Sequence, residues 1–479
     1  MRKAVLVLFL IILAINSFAQ GNGVPPAAPQ TVAAVPAAPA IAAVADLPSA
    51  EKLFTEASEY ADKKFVEMRK IVPPRPQAEY EQVLRDQRQM AARYAADISA
   101  RPELTAEDNY FLALLQNLSA NFDGAVISFE KFLASDKPDP EKAQRARFLL
   151  VAVHTSRSDV STAETWLAEY SKNAPVKNKD KSDLESMLAR NYNDRKDFDR
   201  AAAHAGEAYR AIKAYFEEKE ARPADIYKIH QLAMLLFSIQ KEKGDPKQAI
   251  STLEDLQKVG AFHDSWDIFF SATDKAVMLL LESGQRAEAT AFFKKTYGSI
   301  DKLFRNQGAL AEVRRLLMRR ERQYEIMLTK APELSVDNWL PAAQKLSDLN
   351  GKVVLIDFWA TWCGPCIAAI PKLSRWQQSY QEQGLEIVGA TRYYGSGYGL
   401  PDNEPAELET IKNFIKTHRM PYAVAVSKDG VNTSFYNANT LPTVVLIDRK
   451  GLIRYINSGS NSAREDEIER MIKKLLAEK

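Results

Sequence analysis

Five short turn phrases recur along the chain, each closing on a small residue: NFDGA at Ala125, SDVSTA at Ala163, KDFDRA at Ala201, GDPKQA at Ala249 and GQRAEA at Ala289, at intervals of 38, 38, 48 and 40 residues. Each lies between an upstream helical pattern such as NYFLALLQNLSA and a downstream one such as AVISFEKFLAS. A turn followed by a small residue lets two helices approach closely, and a helical hairpin that cannot bury its apolar face alone must stack on its neighbours. Residues 49–330 are therefore expected to form an all-α repeat domain with the build of a solenoid. Its histidines, His154, His204, His230 and His263, are scattered without ligand spacing and read as surface or packing residues, not as a metal site.

The Leu112-Ala113 pair ahead of Ala125, Phe129 behind it, and Ala189 and Tyr192 ahead of Ala201 resemble the tetratricopeptide family. The match is degenerate, because the intervals exceed the family's 34 residues and its Trp and Pro positions are mostly lost. The resemblance implies a tetratricopeptide-like solenoid whose concave face takes a protein partner.

The first residues read differently. Met-Arg-Lys, an apolar run from Ala4 to Ile15 and then Ser17-Phe18-Ala19 describe a signal peptide over 1–19. The run falls short of the roughly 20 apolar residues that span a bilayer, so a retained membrane anchor is the weaker alternative. Residues 20–48 are Ala, Pro and Val and are expected to be a disordered linker. An exported, periplasmic protein is the expectation. The 64 basic and 62 acidic residues are interspersed, with no stripe to neutralise a phosphate backbone, which argues against nucleic acid as a partner.

After Lys330 the texture changes. GKVVLIDFWA and GLEIVGAT are continuous apolar, β-branched runs, as expected of strands buried on both faces. YAVAV is a third, and TVVLIDRKGLIRYINSG a hairpin turning at Lys450-Gly451. Helical patterns separate them, and a last amphipathic helix places Ile468, Met471, Ile472, Leu475 and Leu476 on one face. Strand and helix alternation predicts an α/β domain over 331–479.

That domain holds the only two cysteines of the chain, in FWATWCGPC. A Cys363–Cys366 bridge closes too small a loop to constrain the unfolded chain. A zinc site would need two more ligands where His418 is the domain's one histidine, and haem attachment would need a histidine where Ile367 stands. A redox couple has a mechanism. The buried strand ends at Ala360, a turn follows, and a helix begins near Cys363, whose sulfur meets unpaired N–H groups and the positive end of the helix dipole. These lower a thiol's pKa, and Cys366 one turn later can attack a mixed disulfide. Gly364 and Pro365 stand between them, and proline suits a first helical turn.

VVLIDFWATWCGPC resembles the active-site segment of thioredoxins, and more closely that of the exported TlpA/ResA-like thiol–disulfide oxidoreductases. The resemblance runs over residues 333–479 and implies a thioredoxin-like fold. It implies that Asp357 is a buried acid accepting the proton of Cys366, where the residue alone would pass for an ordinary strand-end acid. It implies that Trp362 flanks the nucleophile, that Pro371 kinks the active-site helix, and that Gly459 ends a strand. In NTLPTVVLID it implies a cis Pro442, otherwise readable as a trans loop proline, with Thr440 and Leu441 beside it pairing with a partner's backbone. Trp359 reads as packing.

The segment RYYGSGYGLPDNEPAE is a long insertion whose spaced glycines lack the helix a phosphate loop needs. Loops after parallel strands share the edge where active sites lie, so Tyr393, Tyr394 and Tyr398 are expected to rim the cysteines. The functional expectation is a reductant of protein disulfides, with no cofactor beyond a redox-active Cys363–Cys366 disulfide and no metal. No flavin or nicotinamide motif is present, so a membrane thiol electron donor is implied. A disulfide oxidant or isomerase, and a scaffold with an auxiliary redox domain, are the alternatives.

Overall fold

The computed structural model describes residues 48–70, 76–218, 225–341, 344–459 and 462–478. The expected signal peptide and nearly all of the expected linker lie outside the described residues. Compactness divides the chain at Gly244/Asp245.

The first unit is all helical: α1 (Ala50–Met68), α2 (Gln77–Ser99), α3 (Ala106–Leu118), α4 (Phe122–Leu133), α5 (Pro140–Ser156), α6 (Val160–Lys172), α7 (Asn178–Asp194), α8 (Phe198–Glu217) and α9 (Ile226–Lys243). The recurring phrase has a physical cause. At Ala120, Ser158 and Lys196 the backbone turns left-handed, with φ of 64°, 61° and 62°. The next residue, Asn121, Asp159 or Asp197, caps the following helix, its side chain accepting the N–H of Gly124, Thr162 or Arg200. Its own N–H reaches back to the carbonyl of Gln116, His154 or Tyr192 at 2.8, 2.9 and 3.0 Å. Each turn thus satisfies backbone groups that both helix ends leave open. Four residues beyond each cap, Ala125, Ala163 and Ala201 are fully buried, where a larger side chain would force the helices apart.

The second unit starts with four more helices, α10 (Pro246–Phe262), α11 (Trp266–Glu282), α12 (Arg286–Leu303) and α13 (Gln307–Ile326). The same turn chemistry operates here: the Asp245 side chain accepts from the Gln248 N–H, and Gly284 supplies the left-handed residue before α12. An α/β body follows in the order β1 (Asn338–Leu340), β2 (Val353–Phe358), α14 (Gly364–Tyr380), β3 (Leu385–Arg392), α15 (Glu404–Thr417), β4 (Ala423–Ser427), α16 (Val431–Phe435), β5 (Thr443–Ile447), β6 (Ile453–Ser458) and α17 (Ser462–Ala477). The sheet order is β1-β4-β3-β2-β5-β6. Strands β2, β3 and β4 are parallel, and β1, β5 and β6 run antiparallel to their neighbours. The fold is thioredoxin-like, as the sequence implies, with β1 a short edge strand that no apolar run announces.

Alternation along β2 splits the core. Val354, Ile356 and Phe358 join a cluster that includes Phe269 and Val277 of α11, Phe293 of α12, and Val313, Leu317 and Tyr324 of α13. Val353 and Leu355 join the opposite cluster, with Ile370 and Trp376 of α14, Ile411 of α15 and Ile468 and Ile472 of α17. Helices placed with the repeats by their sequence texture therefore cover one face of the sheet. Texture reports secondary structure, while compactness reports which core a helix buries into. The covering helices are also pinned by polar contacts. Arg320 on α13 donates to Asp274 on α11 at 2.8 Å and to the Ile456 carbonyl of β6 at 2.9 Å, and the Tyr324 hydroxyl donates to Asp274 at 2.7 Å. Burial opposes charge on Asp274, but the Arg320 guanidinium, the Lys275 charge and the Tyr324 hydrogen bond together outweigh it and hold the carboxyl below its ordinary value. No described helix is long and apolar enough to cross a membrane.

Candidate active site

Strand β2 lies in the middle of the sheet and delivers the chain to its C-terminal edge, where Trp359 N–H still bonds the Ala390 carbonyl at 3.0 Å. A tight turn follows, closed by the Cys363 N–H on the Ala360 carbonyl at 3.1 Å. Cys363 is the N-cap of α14, and its Sγ accepts the Cys366 N–H at 3.2 Å. The two sulfurs are joined as a disulfide. Pro365 occupies the first turn, where its missing N–H costs nothing. Pro371 lies inside α14 and has no N–H to offer the preceding turn.

Asp357 has the parity of Val353 and Leu355, so it points to the face that α14 and α17 cover. In the sheet it sits between Gly389 of β3 and Val444 of β5. It is 1% exposed, and its Oδ1 has no hydrogen-bond partner among the described residues. It lines a cavity of about 10 Å³ with Ala369, Leu373, Pro442 and Arg464, a space the size of one water. Burial pushes its carboxyl from the ordinary 3.8 up to about 7, against the pull of the Arg464 guanidinium. The Asp357 charge adds in turn to the burial that raises the Tyr422 phenol.

The loop before β5 approaches from the side. The Leu441–Pro442 bond is cis, and the Thr443 hydroxyl donates to the Thr440 carbonyl at 2.6 Å. Helix α13 reaches this loop: Arg319 donates to the Thr440 hydroxyl at 3.1 Å.

A pocket of about 300 Å³ opens beside the disulfide, lined by Trp362, Cys363, Gly364, Pro365, Arg392, Tyr394, Tyr398 and Leu441 among others. Trp362, 43% exposed, stacks on Tyr398 with centroids 4.7 Å apart and meets Tyr394 edge-on at 5.3 Å. The insertion is held by Glu407, whose carboxylate accepts the N–H groups of Tyr394 at 2.8 Å and Gly395 at 3.1 Å.

The structure thus gathers Trp362, Cys363, Gly364, Pro365 and Leu441 around one pocket, with Asp357 and Pro442 on a small cavity and Thr440 under Arg319. Tyr394 and Tyr398 rim the cysteines as expected. Tyr393 does not line the pocket. Its hydroxyl accepts from Asn338 on β1 at 3.0 Å, because neighbouring residues at a strand end point to opposite sides. Trp359 is buried and stacks on Phe414 at 5.1 Å, which is packing. Sequence reasoning passed over Arg392, Arg464, Arg319 and Glu407. Arg392 was findable as the residue directly after the expected strand GLEIVGAT; the other three lie on other elements and carry no local signal.

The Redoxin family profile matches residues 329–472. Thioredoxin-like protein YneN of Bacillus subtilis is 30% identical over 138 residues, which is 29% of this chain and 75% of that protein. Thiol-disulfide oxidoreductase ResA of Bacillus thuringiensis subsp. konkukian is 29% identical over 146 residues, 30% of this chain and 76% of that protein. Among solved structures, a thiol:disulfide interchange protein DsbE from Chlorobium tepidum aligns at 28% identity over 31% of this chain and 96% of that chain, with a TM-score of 0.27. With a disulfide capping the helix behind a doubly buried strand, and relatives matched over three quarters of their length, the chain belongs to the thioredoxin-like family and its C-terminal domain is a thiol–disulfide oxidoreductase.

Proposed function

We propose that the protein is exported and reduces disulfides in partner proteins, taking its electrons from a membrane thiol donor, with the helical repeats selecting or tethering the partner. The observation that carries the reading is the position of Cys363, whose sulfur caps α14 and accepts a backbone N–H at 3.2 Å. A thiolate there is stabilised by the helix end. In the reduced protein Cys363 attacks one sulfur of the client disulfide. A Cys363–client bond forms, the client bond breaks, and the leaving sulfur takes a proton. Cys366 then attacks Cys363, its proton passing to Asp357, and the second client thiol leaves. Two electrons have moved from the dithiol to the client, and the bonded pair is the oxidised state. The Leu441–Pro442 loop holds the client backbone, and the disulfide serves as the only redox group. The Ala4–Ile15 run with Ser17-Phe18-Ala19 supports export to the periplasm.

The test is a trap. Cys366→Ser should accumulate a stable mixed disulfide between Cys363 and its clients in cells, seen as dithiothreitol-sensitive adducts on non-reducing gels, and Cys363→Ser should not. Adducts of equal yield on Cys363→Ser would reject these roles.

A further inference from the structure

The pocket beside Cys363 carries a full positive charge and no carboxylate. Arg392 is the last residue of β3, held in register with Ser427 of β4, so its origin is fixed by the sheet. Its guanidinium lies over the Tyr394 ring, 4.7 Å from the centroid. Among the described residues it forms no ion pair. Tyr394 is itself braced by Trp362 and Tyr398, and its backbone by the buried Glu407. The guanidinium also hydrogen-bonds the Tyr394 side chain, and an arginine held against an aromatic ring in this way loses little freedom when its remaining donors meet a ligand. The aromatic wall offers apolar surface for the methylene groups of an incoming chain.

We propose that Arg392 determines specificity, selecting client disulfides in which an Asp or Glu neighbours the cysteine that Cys363 attacks. This deepens the disulfide-reductase reading above and rests on it. The carboxylate pairs with the Arg392 guanidinium, its stem lies along Trp362 and Tyr398, and the client backbone follows the Leu441–Pro442 loop on the other side of the pocket. Arg319, the other guanidinium near this edge, is committed to Thr440 and does not line the pocket.

The experiment uses the full chain, reduced, with three fluorogenic disulfide peptides differing only in Glu, Gln or Lys beside the cysteine. The wild-type protein should reduce the Glu peptide with kcat/KM on the order of tenfold above the Lys peptide, the scale of a charge-assisted pair, with Gln between and the difference mainly in KM. The ratio should fall to about one in Arg392→Gln and invert in Arg392→Glu, while Arg319→Gln keeps the preference. A wild-type ratio near one, or one that collapses only in Arg319→Gln, overturns the assignment to Arg392. The wild-type arm decides even if a variant fails to fold. Neutral hydroxyethyl disulfide separates the two levels: if it is reduced while the peptides show no charge preference, only this inference fails, and if neither it nor any peptide is reduced, the reductase reading fails with it.

Discussion

Asp357→Asn is expected to stabilise the oxidised protein at pH 8 and to slow client release near pH 7. Burial raises this carboxyl from 3.8 to about 7, so the folded state holds a proton that the unfolded chain gives up near pH 4. Stability from this group is therefore greatest below about pH 4, falls as pH rises toward 7, and is lost above it. At 1.36 kcal/mol per pH unit the penalty reaches about 4 kcal/mol, less the cost of burying an unpartnered amide in the variant. A gain between about 1 and 4 kcal/mol at pH 8, with a flatter pH profile between 4 and 7, is the expected outcome of denaturant titrations. The kinetic cost has the opposite sign. Without Asp357, Cys366 loses its proton to solvent, so insulin reduction should drop by about a hundredfold or more near pH 7 and recover toward pH 9, the scale of a lost general base. A variant with the wild-type pH slope in both measurements would show that Asp357 titrates normally.

Removing the helices ahead of the sheet should be the most damaging change to the oxidoreductase domain. Residues 331–479 span the α/β pattern, yet Val354, Ile356, Phe358, Val388, Val445 and Ile456 share a core with α11, α12 and α13. Full burial of such a side chain contributes roughly 1.5–3 kcal/mol, so uncovering half of that area costs roughly 5–9 kcal/mol, against 5–15 for a whole domain. The Ile456 carbonyl would also lose Arg320, and Glu467 its 2.7 Å pair with Lys275. A fragment of residues 331–479 is expected to aggregate or bind hydrophobic dyes. One of residues 245–479 should unfold cooperatively as a monomer. Equal melting temperatures for the two fragments would refute the shared core.

What the sequence disclosed follows from the range of its signals. The turn phrases were legible because cap, left-handed residue and buried alanine are local: Asp197 and Ala201 need only each other's spacing. The helix-capping Cys363 and its partner Cys366 one turn later were legible for the same reason. Which core α11 to α13 enter was not, since an apolar stripe does not say what it packs against. Likewise Tyr393 and Tyr394 look alike in sequence, and only the pairing of β1 beside β4 draws Tyr393 away to Asn338. Arg464, which tunes Asp357, lies more than a hundred residues further along the chain.

The most direct measurement is the rate of alkylation of Cys363 in the reduced protein as a function of pH. A sulfur that caps α14 should titrate clearly below the value of about 8.5 for free cysteine, with matching activity in insulin reduction. A titration at or above 8.5, with insulin left intact, would contradict the account.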